Sequence, residues 1–118
     1  TALLGWDAMP TPDGVQVTTS SEEDVTVVTV IGVLDAASLT DVSTALTDAQ
    51  RGSRRVIVDL SEVTFMDSRG LGALLAANER SREGAAPIAV YKPSDPVRRL
   101  LEVSGVRRIL DEVEELPG

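Results

Sequence analysis

The residues best placed to do chemistry lie in "FMDSRGLG", residues 65–72, where Ser68 follows Asp67 at the junction of an apolar run and a helical pattern. A serine becomes a nucleophile when a general base takes its proton. This chain has no histidine and no cysteine, which excludes a Ser-His pair, thiolate chemistry and a His-containing zinc site. Lys92 is the one lysine, and no Walker glycine loop precedes it. The acidic tail "DEVEELPG" reads as a solvated surface rather than as paired catalytic carboxylates. No metal site, cofactor site or enzymatic activity is expected.

Ser68 has another chemical use, as the acceptor of a modification. At the start of a helix its side chain lies near backbone N–H groups that lack intrahelical partners, at the positive end of the helix dipole. A phosphate there adds roughly −1.5 to −2 charges at a place that holds anions, beside the like charge of Asp67. Weakening a complex a hundredfold requires about 2.8 kcal/mol, so one repelled anion at an interface suffices as a switch. The simpler reading makes Ser68 a plain N-cap, with Gly70 and Gly72 tolerated for tight packing.

The elements that must position this serine follow from periodicity. "VQVTTSSEEDVTVVTVIGVLD" predicts two strands rich in β-branched residues, joined by a polar turn around Ser20 to Asp24. "DAASLTDVSTALTDAQRG" changes period: Leu39, Val42, Leu46 and Ala49 share one helical face, with Asp35 or Ser38 as cap and Gly52 as the stop. "RRVIVDL" reads as a buried central strand. "SRGLGALLAANERSREG" reads as a helix burying Leu71, Leu74 and Leu75, with Gly84 beyond its end. "APIAVYK" is the next strand, and "SDPVRRLLEVSG" a helix with Pro96 in its first turn and Val97, Leu100 and Leu101 inward. "VRRIL" is expected as a last short strand and "DEVEELPG" as about one helical turn. The order β-β-α-β-α-β-α-β implies right-handed crossovers and a largely parallel sheet.

A length of 118 residues fits one domain with its own core. No apolar run reaches the roughly 18–20 residues of a membrane helix, and the front segment lacks the basic and apolar regions of a signal peptide. Residues 1–14, with Leu3, Leu4 and Trp6, are expected as an extension before a domain over 15–118. Without cysteine the chain suits a reducing compartment, and the cytoplasm is the expected location. The net charge of −8 is unevenly spread: residues 1–50 hold eight acids and no lysine or arginine, while the rest balances. An acidic half disfavours nucleic acid and favours a basic protein surface. Taken alone, the same asymmetry also serves simple solubility.

Three segments carry a resemblance to a known family. "VIVDLSEVTFMDSRGLGALL" is similar to the phosphorylation-site segment of bacterial anti-sigma factor antagonists, the STAS-domain family, whose pattern is a strand ending in Asp-Leu and then F-M/L-D-S-S/T-G-L-G. "VTVVTVIGVLDAASLTDV" resembles the family's G-E-L/I-D turn and first helix, and "DPVRRLLEVSGVRRIL" its later V-x-R-x-L/F segment. The resemblance runs from about Val15 to Leu110. It implies a single STAS-like α/β domain with a four- to five-stranded mixed, largely parallel sheet and three to four helices. It implies that the unphosphorylated protein binds an anti-sigma factor serine kinase, of the histidine-kinase ATPase type, and so frees a sigma factor. Phosphorylation of Ser68 would release that partner, and a metal-dependent serine phosphatase would reset the switch. Asp35, Asp67, Ser68, Arg69, Gly70 and Leu71 would form the partner-binding surface of a monomer or weak dimer. No nucleic acid and no membrane would be bound.

Two positions depart from the pattern: Arg69 stands where the family has Ser or Thr, and Val33 where it has Glu. Both bear on the choice of kinase partner, and after the last strand the family's closing helix is expected to be short or missing. A competing reading is a STAS scaffold or transport accessory in which Ser68 is only a helix cap. A third, a small hydrolase with Ser68 as nucleophile and an Asp or Lys helper, is disfavoured by the missing histidine.

Overall fold

Alternation and β-branching fold the chain as its pattern requires. The computed structural model describes residues 15–106 and 108–117; the expected extension over residues 1–14 lies outside the described residues. Five strands form one sheet: β1 (Val15–Glu22), β2 (Val25–Leu34), β3 (Arg55–Met66), β4 (Ile88–Tyr91) and β5 (Asp111–Val113). Three helices join them: α1 (Leu39–Gly52), α2 (Ser68–Arg82) and α3 (Asp95–Ser104). The strands lie side by side in chain order; β1 is antiparallel to β2 and every other pairing is parallel.

With parallel neighbours laid down in one direction, right-handed crossovers carry all three helices to the same face. The main core lies there: Val28, Val30 and Leu34 of β2, Val56, Val58 and Leu60 of β3, and Ile88 and Val90 of β4. Val42 and Leu46 of α1, Leu71 and Leu74 of α2, and Val97 and Leu101 of α3 close over them. A smaller cluster of Val25, Val27 and Ile57 holds residues alternate to these along the strands.

The expected turn narrows to two residues, Glu23 and Asp24, with φ of 53° and 68°. Both are left-handed, as the tight hairpin turn that suits strand twist demands. Strand β3 runs on past "RVIVDL" to Met66, because the link expected before Phe65 is itself strand. The end of the chain differs from expectation. Where "VRRIL" was expected as a strand, residues 108–110 form a turn, Ile109 N–H and Leu110 N–H donating to Val106 C=O, and the strand falls on Asp111–Val113 where a helical turn was predicted. Val106 and Leu110 are buried and peg that turn to the core, so their apolar character marks an anchor rather than a strand.

Candidate functional site

The site is built where β2 and β3 end together. Val33 pairs with Phe65 and Leu34 with Met66, so the two following turns start side by side at the carboxyl edge of the sheet. In open α/β sheets this edge is where sites form. A backbone bond from Asp67 N–H to Leu34 C=O, 3.3 Å, ties one turn to the other.

In the first turn Asp35 Oδ1 accepts from Ala37 N–H at 3.0 Å and Ser38 N–H at 3.3 Å. The buried Ser38 hydroxyl donates back to Val33 C=O at 2.8 Å. The turn is thereby locked by its own side chains, and Asp35 is held half-buried at its head.

In the second turn the cap is Asp67, not Ser68. Asp67 has extended backbone, and its Oδ1 accepts from Arg69 N–H at 2.9 Å and Gly70 N–H at 3.1 Å. Ser68 is therefore the first residue of α2, exposed, with its hydroxyl bonded to no described residue. The two oxygens are easily confused from sequence, because serine and aspartate are equally good caps and stand next to each other.

Gly70 explains how the turns come so close. A Cβ at that position would lie 2.6 Å from Leu34 C=O, 2.7 Å from Leu34 Cγ and 3.0 Å from Met66 Cγ. Only a residue without a side chain lets the start of α2 rest on the end of β2. Gly72 has nothing within 4 Å of such a Cβ, so the packing role expected of both glycines belongs to Gly70 alone.

The expected contact surface thus divides. Ser68 and Arg69 are exposed, Asp35 and Asp67 half-buried. Gly70 and Leu71 are buried beneath them, Leu71 within the main core, and both hold the turn against the sheet. Arg69 makes no ion pair among the described residues, unlike Arg82, which pairs with Glu79, and Arg98, which pairs with Glu112. One exposed residue was missed: Phe65, 50 % exposed, two residues before the cap. Strand β3 carries one extra residue opposite Thr29–Ile31 and another opposite Gly32–Val33. Such bulges re-aim side chains, and the signal for the first was Asp59, whose Oδ1 takes both Ser61 N–H and Ser61 Oγ–H at 3.0 and 2.7 Å.

Among the described residues no group of three or more Asp or Glu is arranged to hold a metal. No helix among them is long and apolar enough to cross a membrane.

Comparison with known proteins follows the same outline. Residues 17–111 match the family described as "Mlab, STAS domain". The anti-sigma-B factor antagonist of Listeria monocytogenes is 33 % identical over 90 residues, covering 75 % of this chain and 78 % of the relative. The crystal structure of an anti-sigma factor antagonist from Mycobacterium paratuberculosis superposes with a TM-score of 0.80 at 23 % identity, covering 92 % of each chain. The Bacillus cell fate determinant SpoIIAA in its phosphorylated form superposes with a TM-score of 0.66 at 20 % identity, covering 85 % of this chain and 93 % of that one.

Proposed function

Because the chain belongs to the STAS domain family, we propose that it is an anti-sigma factor antagonist switched at Ser68. In its unmodified form it binds an anti-sigma factor that is a serine kinase, and the sigma factor is set free. Transfer of a phosphoryl group to Ser68 Oγ ends the complex, and a serine phosphatase restores it. The cytoplasm, where transcription runs, is the compartment this reading requires.

The observation that carries the proposal is the division of labour between Asp67 and Ser68. Asp67 satisfies the helix start, which leaves the Ser68 hydroxyl exposed and uncommitted. A serine used as a cap would lose its structural bond on modification; this one loses nothing. The cap that the scaffold reading gave to Ser68 falls to Asp67. Added phosphate oxygens find Arg69 N–H and Gly70 N–H already taken by the Asp67 carboxylate, so the new charge projects outward beside it. Arg69, next in the chain, supplies a guanidinium that either balances that phosphate or engages the partner. Asp35 and Asp67 flank the serine on the partner face.

The test is a parallel capture from the native host with wild-type and Ser68→Asp chains, joined to phosphosite mapping of the native protein. Recovery of a kinase-type anti-sigma factor by the wild type alone, with phosphate found on Ser68, is the expected result. Equal recovery by both chains, with Ser68 never modified, would overturn the switch.

A further inference from the structure

The sheet has two edges, and they differ. Strand β5 is three residues long, whereas β1 runs for eight in unbroken register with β2. Natural proteins defend a long edge with lysine, proline, a bulge or an inward charge. "VQVTTSSE" has no lysine and no proline, its pairing with β2 shows no register shift, and its only charge is Glu22 at the turn. Beyond β1 no described element pairs with it.

Which backbone groups face outward follows from the turn. A two-residue loop with both residues left-handed closes on a hydrogen-bonded pair, here Glu22 and Val25. Bonded and non-bonded pairs alternate along an antiparallel ladder. Ser20, Thr18 and Gln16 are then bonded to β2, and the N–H and C=O groups of Ser21, Thr19 and Val17 point away from the sheet.

The side chains of those same three residues form one wall of a groove of about 650 Å³. The other wall is α1, which presents Asp41, Thr44 and Asp48. All three are exposed, and Asp41 and Asp48 fall two helical turns apart on one face, about 10 Å along the axis. Side chains on one face of an extended chain recur every 6–7 Å, so lysines or arginines at alternate positions reach both carboxylates. Residues 15–50 contribute Glu22, Glu23, Asp24, Asp35, Asp41 and Asp48 and no basic residue, so acids outnumber Arg51 and Arg54, which flank the Gly52 and Ser53 end of the groove.

We propose that β1 and α1 form a second docking site, at which an extended basic segment of a partner protein adds to β1 as a sixth strand and places alternate cations against Asp41 and Asp48. Main-chain bonds to Val17, Thr19 and Ser21 give the affinity, and the two acids give the preference for a basic sequence. The hydroxyls of Thr19, Ser21 and Thr44 line the groove beside Val17 and Ala45, so it offers both polar and apolar contact. Nothing in this site draws on Ser68 or on the identity of an anti-sigma factor, so it stands or falls apart from the switch.

The experiment titrates the isotope-labelled full chain with a capped synthetic peptide as long as β1, alternating arginine and threonine, and follows backbone amide shifts. The expected shifts centre on Val17, Thr19 and Ser21 and on the Asp41–Asp48 face of α1, and fade as salt is added. Asp41→Asn together with Asp48→Asn should weaken binding by about fivefold to tenfold, the worth of two exposed ion pairs. Thr19→Pro removes an outward donor without touching the ladder to β2 and should abolish binding, its spectrum elsewhere unchanged. A peptide N-methylated at alternate residues gives the same information without altering the protein: one of its two methylation registers should fail to bind. Binding that survives both registers, or that a glutamate–threonine peptide matches, overturns the proposal. So do β1 shifts that depend on the protein's own concentration without peptide, since the edge would then belong to a second copy.

Discussion

At the scale of single residues, the site rests on three neighbours with separate tasks: Asp67 caps, Ser68 presents a hydroxyl, Gly70 permits close approach. Removing the cap with Asp67→Ala should cost about 1 kcal/mol in urea unfolding, and Asp67→Asn should restore most of it because the amide oxygen accepts the same two bonds. Ser68→Ala should leave stability within about 0.5 kcal/mol, since no described bond is lost. The glycines should respond in opposite directions. Gly70→Ala forces a methyl against Leu34 and Met66 and should destabilise by about 1–3 kcal/mol, whereas Gly72→Ala, exposed and clear of contacts, should stabilise by about 0.5–1 kcal/mol. Thermal melts of the five variants check the whole set. Of these roles, the position of Ser68 at a helix start was legible in "MDSRG", because an apolar run gives way there to helical spacing. Which of two adjacent capping residues takes the N–H groups was not, nor was the burial of Gly70, although that of Leu71 was read from its helical face. Both depend on where the end of β2 lies, a contact far away in sequence.

At the scale of elements, each helix is held to the sheet by its apolar face, and α1 and α2 are also joined by one buried polar link. Gln50, 5 % exposed, donates from Nε2 to Ala77 C=O and Ala86 C=O, both at 2.9 Å. Its Oε1 accepts from Arg80 Nε at 2.9 Å, while Arg80 Nη2 is buried with no partner among the described residues. Replacing Gln50 by Leu strands two carbonyls and more of the guanidinium, and should destabilise by about 2 kcal/mol or more despite the added apolar surface. Denaturant midpoints of Gln50→Leu and Gln50→Glu separate the loss of donor from the loss of polarity. The helices were legible because their period of 3.6 is written in leucine and valine; α3 even shows Pro96 at its start and Gly105, φ 73°, at its end. Gln50 was invisible, since a glutamine on a helix is ordinarily solvated and only the partner carbonyls make it part of the core. The final strand was misplaced for a related reason: Val106 and Leu110 owe their apolar character to the core, while two of the three residues that pair with β4, Asp111 and Glu112, are charged and only Val113 is apolar.

At the scale of the whole molecule, charge and topology act together. The acidic first half supplies β1, β2 and α1, so the negative field gathers on one side of the sheet, around the edge strand and the Asp35 turn. Association with a basic partner should slow by about tenfold or more from low to high salt, with dissociation changing much less, as surface plasmon traces of the captured complex will report. The mostly parallel sheet and helix order were legible from the alternation of strand and helix patterns, but the order of strands across the sheet was not. That order has a consequence for how the protein is made. Synthesis delivers chain at about 5–20 residues per second, N-terminus first. Each emerging strand here meets its neighbour already in place, and the sheet lengthens at one side only. The apolar β3 is the exposed growing side until β4 leaves the ribosome. Codon or sequence changes that delay β4 should therefore lower the yield of soluble protein in the cell while leaving the finished molecule as stable as before.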